Sequence, residues 1–126
     1  MEKTLRSLVV LMIEAEQPEG LSSRKLVVET AKHNVLTAYE PGEGLDLLRR
    51  FPNVDILLIH EEVFHQAPNI VTDAKELCGD IPIILASPFA NLNHPEADYV
   101  VDSHRPQDLL MLLTREFPPA TSESNL

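Results

Sequence analysis

Several polar side chains stand directly after apolar runs of this sequence, where a strand would end and a reactive group could gather. They are Glu14, Glu16, His60, Ser87 and Asp102. Carboxylates and an imidazole in one place could bind Zn²⁺ or another divalent transition ion, because carboxylate oxygen and imidazole nitrogen suit such ions. Without a cation among them, the carboxylates would repel one another. Whether such a site forms depends on the elements that carry these residues.

The apolar runs are short and continuous, which favours strands. The run at residues 54–59 is too short for a helix that buries one stripe, so we predict a central strand covered on both faces. Periodic apolar residues between the runs predict helices. The predicted strands are residues 7–13, 35–38, 54–59, 82–86 and 99–101, and the predicted helices are residues 21–33, 45–51, 70–78 and 106–117, with a loop at residues 63–68.

Strands that alternate with helices favour a parallel sheet with right-handed crossovers. We therefore predict an α/β fold of the flavodoxin-like, doubly wound type, with five strands in the order 2-1-3-4-5. This order places the ends of strands 1 and 3 side by side. It would bring Glu14, Glu16 and His60 to one rim of the sheet, with Ser87 and Asp102 nearby.

The charge of the chain restricts its partners. Twenty acidic and ten basic side chains give a net charge of −10 at neutral pH. This charge opposes direct binding to nucleic acid and to anionic membranes. The basic pairs Arg24-Lys25 and Arg49-Arg50 fall on predicted helices, and we interpret each pair as a solvated face.

The length of 126 residues predicts one domain. We place it at residues 5–117, followed at residues 118–126 by a disordered tail or the start of a linker. No apolar run is long enough to cross a bilayer, and no signal-peptide pattern is present. The single cysteine, Cys78, fits a reducing compartment, so we expect a cytoplasmic protein.

The order of the polar strand ends resembles that of the receiver domains of two-component response regulators, over roughly residues 5–117. In that family an acidic pair follows strand 1 and a phospho-accepting aspartate follows strand 3. Ser or Thr follows strand 4, and Lys-Pro follows strand 5. The resemblance implies the CheY-like form of the flavodoxin-like fold. The matching segments are residues 10–16, 55–60, 82–87 and 99–103, together with residues 37–38 and 42–48 around the second helix.

The residues that would carry the family's chemistry differ. His60 stands at the phospho-accepting position, Ala15 at one acidic position and Asp102 at the lysine position, whereas Glu14 and Ser87 keep family types. An aspartyl phosphate needs a carboxylate nucleophile, a divalent cation and a second cation that senses the product. The resemblance therefore implies a pseudo-receiver, a degenerate domain that keeps the fold without aspartate phosphorylation.

A second difference concerns the end of the domain. Only eleven residues, two of them proline, separate Ser87 from Tyr99 where receivers place a full fourth helix, so we predict that this helix is missing or much reduced. Residues 109–113 of the last helix are apolar all round, which is typical of a helix that contacts a second partner. The predicted interaction surface comprises Phe89, Leu92, Tyr99, Leu109, Met111 and Leu112. Alternatively, Met111 and Leu112 are merely scattered exposed apolar residues.

These observations predict a non-enzymatic, phosphorylation-independent signalling module of a two-component-type system. It would act through contacts of strand 5, the last helix and the 88–98 loop with a protein partner or a second copy of the chain. We expect no cofactor. We also expect no catalytic residue, because Ser87 and Cys78 have no evident base and no glycine-rich phosphate loop is present.

Two other hypotheses remain open at this point. The first is a divalent metal or small-ligand sensor that uses Glu14, Glu16, His60 and Asp102 at the rim. The alternative to this site is that His60 simply forms a local hydrogen bond. The second is a phosphohistidine relay at His60. Relay histidines usually lie on a helix of a bundle, and nothing in the sequence supplies that setting.

Overall fold

The computed structural model describes residues 8–14, 21–88 and 94–118, and of residues 21–23 it describes the backbone alone. Within these ranges, strands and helices succeed one another along the chain. The strands are β1 (Val9–Ile13), β2 (Asn34–Ala38), β3 (Ile56–His60), β4 (Ile83–Ser87) and β5 (Tyr99–Asp102). The helices are α1 (Leu21–Thr30), α2 (Pro41–Arg50), α3 (Glu61–Gln66), α4 (Ile70–Cys78) and α5 (Pro106–Glu116). No described helix is long and apolar enough to cross a membrane.

The described strands form one parallel sheet in the order β2-β1-β3-β4-β5, which confirms the predicted topology. The register places Ile13 beside Ile59 and Ser87 beside Asp102. Because all strands run in one direction, their carboxyl ends meet at one edge. We call this edge the rim.

Both faces of the sheet are covered by helices, and successive strand residues enter opposite layers of the core. One layer joins α1 and α5 to the sheet and contains Val10, Met12, Ile56, Leu58, Ile84, Val28, Leu109, Leu112 and Leu113. The other joins α2, α3 and α4 to it and contains Leu11, Ile13, Leu57, Ile59, Ile83, Leu48, Val63, Ile70 and Ala74. Burial on both faces explains why the strand sequences are continuously apolar.

The segment after β3 is helical, so the loop predicted at residues 63–68 is wrong over residues 63–66. α3 begins directly after β3, with His60 as its N-cap residue. Two carboxylates in its first turn are favourable for the helix dipole, and Val63 is fully buried. A helix of six residues carries too few apolar side chains to show a periodic pattern in the sequence.

No helix occurs among the described residues between β4 and β5, where residues 94–98 form a turn. The predicted loss or reduction of a helix between these two strands stays a prediction. Residues 89–93, which include Phe89 and Leu92, lie outside the described residues. The domain start predicted at residue 5 also lies outside them, as does the tail predicted at residues 118–126 apart from residue 118.

The turn at residues 94–98 is fixed to the rest of the domain at both ends. The His94 ring packs on the ring of Phe64 in α3, with 4.4 Å between the ring centroids. At the other end, the Asp98 amide donates to the Ile83 carbonyl at 2.9 Å, and the Ile83 amide donates to Oδ2 of Asp98 at 2.8 Å. These contacts set the position at which the chain enters β5.

Candidate functional site

The rim holds the polar residues that the sequence places after the strands. Glu14 follows β1, while His60, Ser87 and Asp102 are the last residues of β3, β4 and β5. The register aligns His60 with Ala86 and Ser87 with Asp102, so adjacent strand ends carry adjacent polar groups. Ala15 and Glu16, predicted to join them, lie outside the described residues.

Glu14 forms a buried ion pair with Arg24 of α1. Nε of Arg24 donates to Oε2 of Glu14 at 2.6 Å and Nη2 donates to Oε1 at 2.7 Å, so both carboxylate oxygens are engaged. The Glu14 side chain is 2% exposed and that of Arg24 is 11% exposed. The interpretation of Arg24 as part of a solvated face is therefore wrong. The helical pattern of α1 gives no sign that a first-turn side chain reaches back to the end of β1.

His60 is held by a local hydrogen bond, in which Nδ1 accepts from the backbone amide of Glu62 at 3.1 Å. Partial burial of the ring lowers its pKa, and the positive charge of Arg24 lowers that pKa further. The carboxylates of Glu14, Glu62 and Glu61 oppose this shift with a smaller effect on the pKa. His60 is therefore a neutral imidazole at neutral pH and caps a helix.

Ser87 is fully buried at the end of β4, and its Oγ donates a hydrogen bond to Oε1 of Glu61. The other oxygen of Glu61 lies 3.4 Å from Nε2 of His65, one turn further along α3. The Ser87 hydroxyl thus ties β4 to α3.

Asp102 closes the turn that follows β5. Its Oδ1 accepts from the backbone amide of His104 at 2.8 Å, a local arrangement that is common for aspartate in turns. The next residue, Ser103, donates from its amide to the Ser87 carbonyl at 2.9 Å. The loop between β5 and α5 is in this way fixed to the end of β4.

The described residues of the rim do not fit a divalent cation. Both oxygens of Glu14 are bonded to Arg24, whereas a hard cation such as Mg²⁺ takes carboxylate oxygens as its ligands. Among the described residues, no group of three or more His, Cys, Asp or Glu side chains is placed to hold a metal ion. The geometry of the described residues therefore does not support a metal site on Glu14, His60 and Asp102.

A groove of about 290 Å³ lies between β5 and α5, on the part of the domain predicted to meet a partner. Tyr99 and Met111 line this groove, and Met111 is 61% exposed. Leu112 contributes to the floor but is otherwise buried. The prediction that Leu109 belongs to the same surface is wrong, because Leu109 lies in the core layer beneath α5.

The sequence matches no protein-family model and no curated protein. Solved structures do match. A response regulator receiver domain protein from Clostridium thermocellum superimposes with a TM-score of 0.69 at 20% identity, covering 86% of this chain and 92% of that one. A response regulator from Thermotoga maritima gives a TM-score of 0.68 at 17% identity, covering 86% and 96% of the respective chains.

A third match comes from the structure of the phosphorylated P1 domain of CheA3 in complex with CheY6 from R. sphaeroides. It has a TM-score of 0.66 at 20% identity and covers 86% of this chain and 94% of the other. At such identities the likeness concerns the fold. This chain therefore has the CheY-like, flavodoxin-like fold of response regulator receiver domains, with a rim whose described polar side chains each bond to a neighbouring group of the protein.

Proposed function

We propose that this chain is a receiver-like signalling module that works through protein–protein contacts in a two-component-type system, without phosphorylation of the rim. The observation that best supports the proposal is His60, which stands where the resemblance places a phospho-accepting aspartate. Its ring is neutral and caps α3, so this position itself carries no carboxylate nucleophile. The structure of CheY6 with the P1 domain of CheA3 illustrates that this fold can bind another protein.

The cation site and the lysine position that phosphoryl transfer uses in this family differ as well. Such a transfer requires a divalent cation to neutralise the developing charge. Here the carboxylate of Glu14 is already paired with the Arg24 guanidinium, so it is not available to bind such a cation. Asp102 stands at the lysine position of the family and bonds within its own turn. A rim of this kind supports the β5–α5 surface as a fixed structure.

The surface that we propose for contact is the β5–α5 groove, and a second copy of the chain suits it. Asp108 and Arg115 both line the groove and are seven residues apart, so they lie on the same face of α5. Met111 lies near the midpoint between them and is exposed. In a two-fold, antiparallel pairing of α5 helices, Asp108 of each copy would face Arg115 of the other while the Met111 side chains pack at the axis.

Sedimentation velocity over a range of concentrations tests this pairing. Wild-type chain should associate as its concentration rises, and Met111→Glu should weaken the association by placing charge at the axis. The matched control is Leu26→Glu, because Leu26 is 62% exposed on α1 and therefore similar in exposure to Met111. Asp108→Arg and Arg115→Asp should each weaken association, and the chain with both changes should recover it.

Incubation with Mg²⁺ and labelled acetyl phosphate tests the independence from phosphorylation. The wild-type chain should take up no label, and its sedimentation should be the same with and without the phosphodonor. Mg²⁺-dependent labelling of the chain would refute the proposal. A wild-type chain that remains strictly monomeric at high concentration would refute the self-association and direct the search to a different protein partner.

A further inference from the structure

The rim contains a permanent positive charge in its interior. The Arg24 guanidinium meets both oxygens of Glu14, in a fork geometry that matches a carboxylate. Taking a carboxylate this far out of water is costly unless a counter-ion and hydrogen bonds accompany it. In this fold Glu14 obtains both from one side chain of α1.

Arg24 also makes a third contact, from Nη1 to the carbonyl oxygen of Ser103, at 3.0 Å. Ser103 belongs to the loop between β5 and α5, and its own amide is bonded to the Ser87 carbonyl. One guanidinium therefore connects the end of β1, the first turn of α1 and the β5–α5 loop.

We propose that Arg24 is the built-in cation of this rim: it takes the place of a divalent ion on Glu14 and fixes the β5–α5 loop through Ser103. The resemblance to receivers implies a divalent ion beside the carboxylate after β1, and the described residues do not fit one. Arginine suits this task better than lysine because its planar group offers several donors in fixed directions. The inference concerns the chain alone and holds whichever partner binds the β5–α5 groove.

Thermal unfolding with and without Mg²⁺ provides the principal test. The wild-type midpoint should not change with Mg²⁺, because Glu14 has no free oxygen. Arg24→Met should unfold at a lower temperature and should be stabilised by Mg²⁺, since binding to the folded state alone raises the folding equilibrium constant about elevenfold at ten times the Kd. Adding Glu14→Gln to Arg24→Met should remove that Mg²⁺ effect.

Arg49→Met is the matched control. Arg49 and Asp46 form an ion pair of the same 2.6 Å length on the surface of α2, with both side chains more than half exposed. Loss of such an exposed pair should leave the midpoint nearly unchanged and create no response to Mg²⁺. A Mg²⁺ response in wild type, or none in Arg24→Met, would overturn the proposal.

A second variant keeps the proposal testable if Arg24→Met does not fold. Arg24→Lys retains the positive charge without the fork, so it should still exclude Mn²⁺ but lose the contact with Ser103. Hydrogen exchange at the amides of Ser103 and Arg105 should be faster than in wild type, and Mn²⁺ should not broaden the Glu14 amide resonance in either protein. Unchanged exchange in Arg24→Lys would overturn the role in the loop, and broadening at Glu14 in wild type would overturn the exclusion of the cation.

Discussion

The His60 imidazole and the Glu62 backbone amide are joined by a hydrogen bond in which the ring is the acceptor, with 3.1 Å between the two nitrogens. A protonated imidazole has no lone pair for this bond, so the neutral ring with its proton on Nε2 is the form that caps α3. Burial, followed by the charge of Arg24, lowers the pKa of His60 below its ordinary value of 6.5. Capping and protonation are thus mutually exclusive at this position.

Because of His60, the free energy of unfolding should therefore decrease as the pH falls. The unfolded chain protonates this ring near its ordinary pKa of 6.5 and the folded chain only at lower pH, so between these values the unfolded state binds more protons. The stability associated with neutral His60 is complete above 6.5 and is lost as the pH falls towards the folded-state pKa.

His60→Asn isolates this effect, because asparagine is a good N-cap residue and does not titrate. In urea unfolding, the stability of wild type relative to His60→Asn should decrease from about pH 7.5 to about pH 5. His104→Asn makes the same substitution at an exposed position and serves as the control. An NMR titration of the His60 ring measures its pKa directly, and a pKa at or above the ordinary value would contradict the prediction.

Gly44 allows α2 to approach β1 closely, and we expect Gly44→Ala to be destabilising. A Cβ at this position would lie 2.5 Å from Cδ1 and 2.9 Å from Cγ1 of Ile13, which is fully buried. Overpacking of this kind costs about 1–3 kcal/mol. The free energy of unfolding from urea titration should decrease by that amount. Adding Ile13→Val, which removes the closest carbon, should recover part of the loss.

Gly42→Ala is the matched control for Gly44→Ala, since it makes the same change in the first turn of the same helix. A Cβ at Gly42 would have no atom within 4 Å. Alanine is favoured over glycine in helices by about 0.5–1 kcal/mol, so this variant should be neutral or more stable than wild type. If both variants lost stability equally, the close approach of Gly44 to Ile13 would not be the cause.

The fold could be predicted because its main signal is local in the sequence. Strands buried on both faces must be continuously apolar, and the runs at β1, β3 and β4 are of this kind. The right-handed crossover rule then leaves few possible orders for such strands. The brief α3 was missed because its formation depends on the cap at His60 and on the burial of Val63, neither of which produces periodicity.

The arrangement of the rim could be predicted only in part. Strand ends place Glu14, His60, Ser87 and Asp102 together as a consequence of topology, which sequence reasoning can follow. The partner of Glu14 could not be found in that way, because Arg24 reaches it from a different element and then continues to the loop after β5. A positively charged residue in the first turn of a helix, where cations are unfavourable, was the available signal.

His33 connects the two ends of the described domain, and we expect its replacement to loosen them. Its side chain is 4% exposed. Nδ1 accepts from the Leu8 amide at 3.2 Å, so Nε2 carries the proton and donates to the Phe117 carbonyl at 2.7 Å. His33→Phe would leave an amide before β1 and a carbonyl after α5 without this partner, at a cost of about 1–3 kcal/mol for each group that stays buried.

Urea unfolding gives the loss of stability in His33→Phe, and hydrogen exchange shows where it arises. Amides in the last turn of α5 should exchange faster, because the contact that holds Phe117 is gone. His65→Phe is the control, since the His65 side chain is 67% exposed and the change should alter stability by no more than about 0.5 kcal/mol. Unaltered exchange in α5 of His33→Phe would show that His33 does not hold this helix in place.

Restoring a carboxylate at the end of β3 should not restore phosphate transfer. In His60→Asp the new side chain can still cap α3, because aspartate accepts readily from helix amides, so the variant should fold. The cation that phosphoryl transfer needs would remain excluded, since both oxygens of Glu14 stay bonded to Arg24. Incubation of His60→Asp with Mg²⁺ and acetyl phosphate should therefore give no hydroxylamine-sensitive label. If His60→Asp did take up label, the missing nucleophile alone would prevent phosphorylation of wild type. Arg24 would then not exclude the divalent cation from the rim.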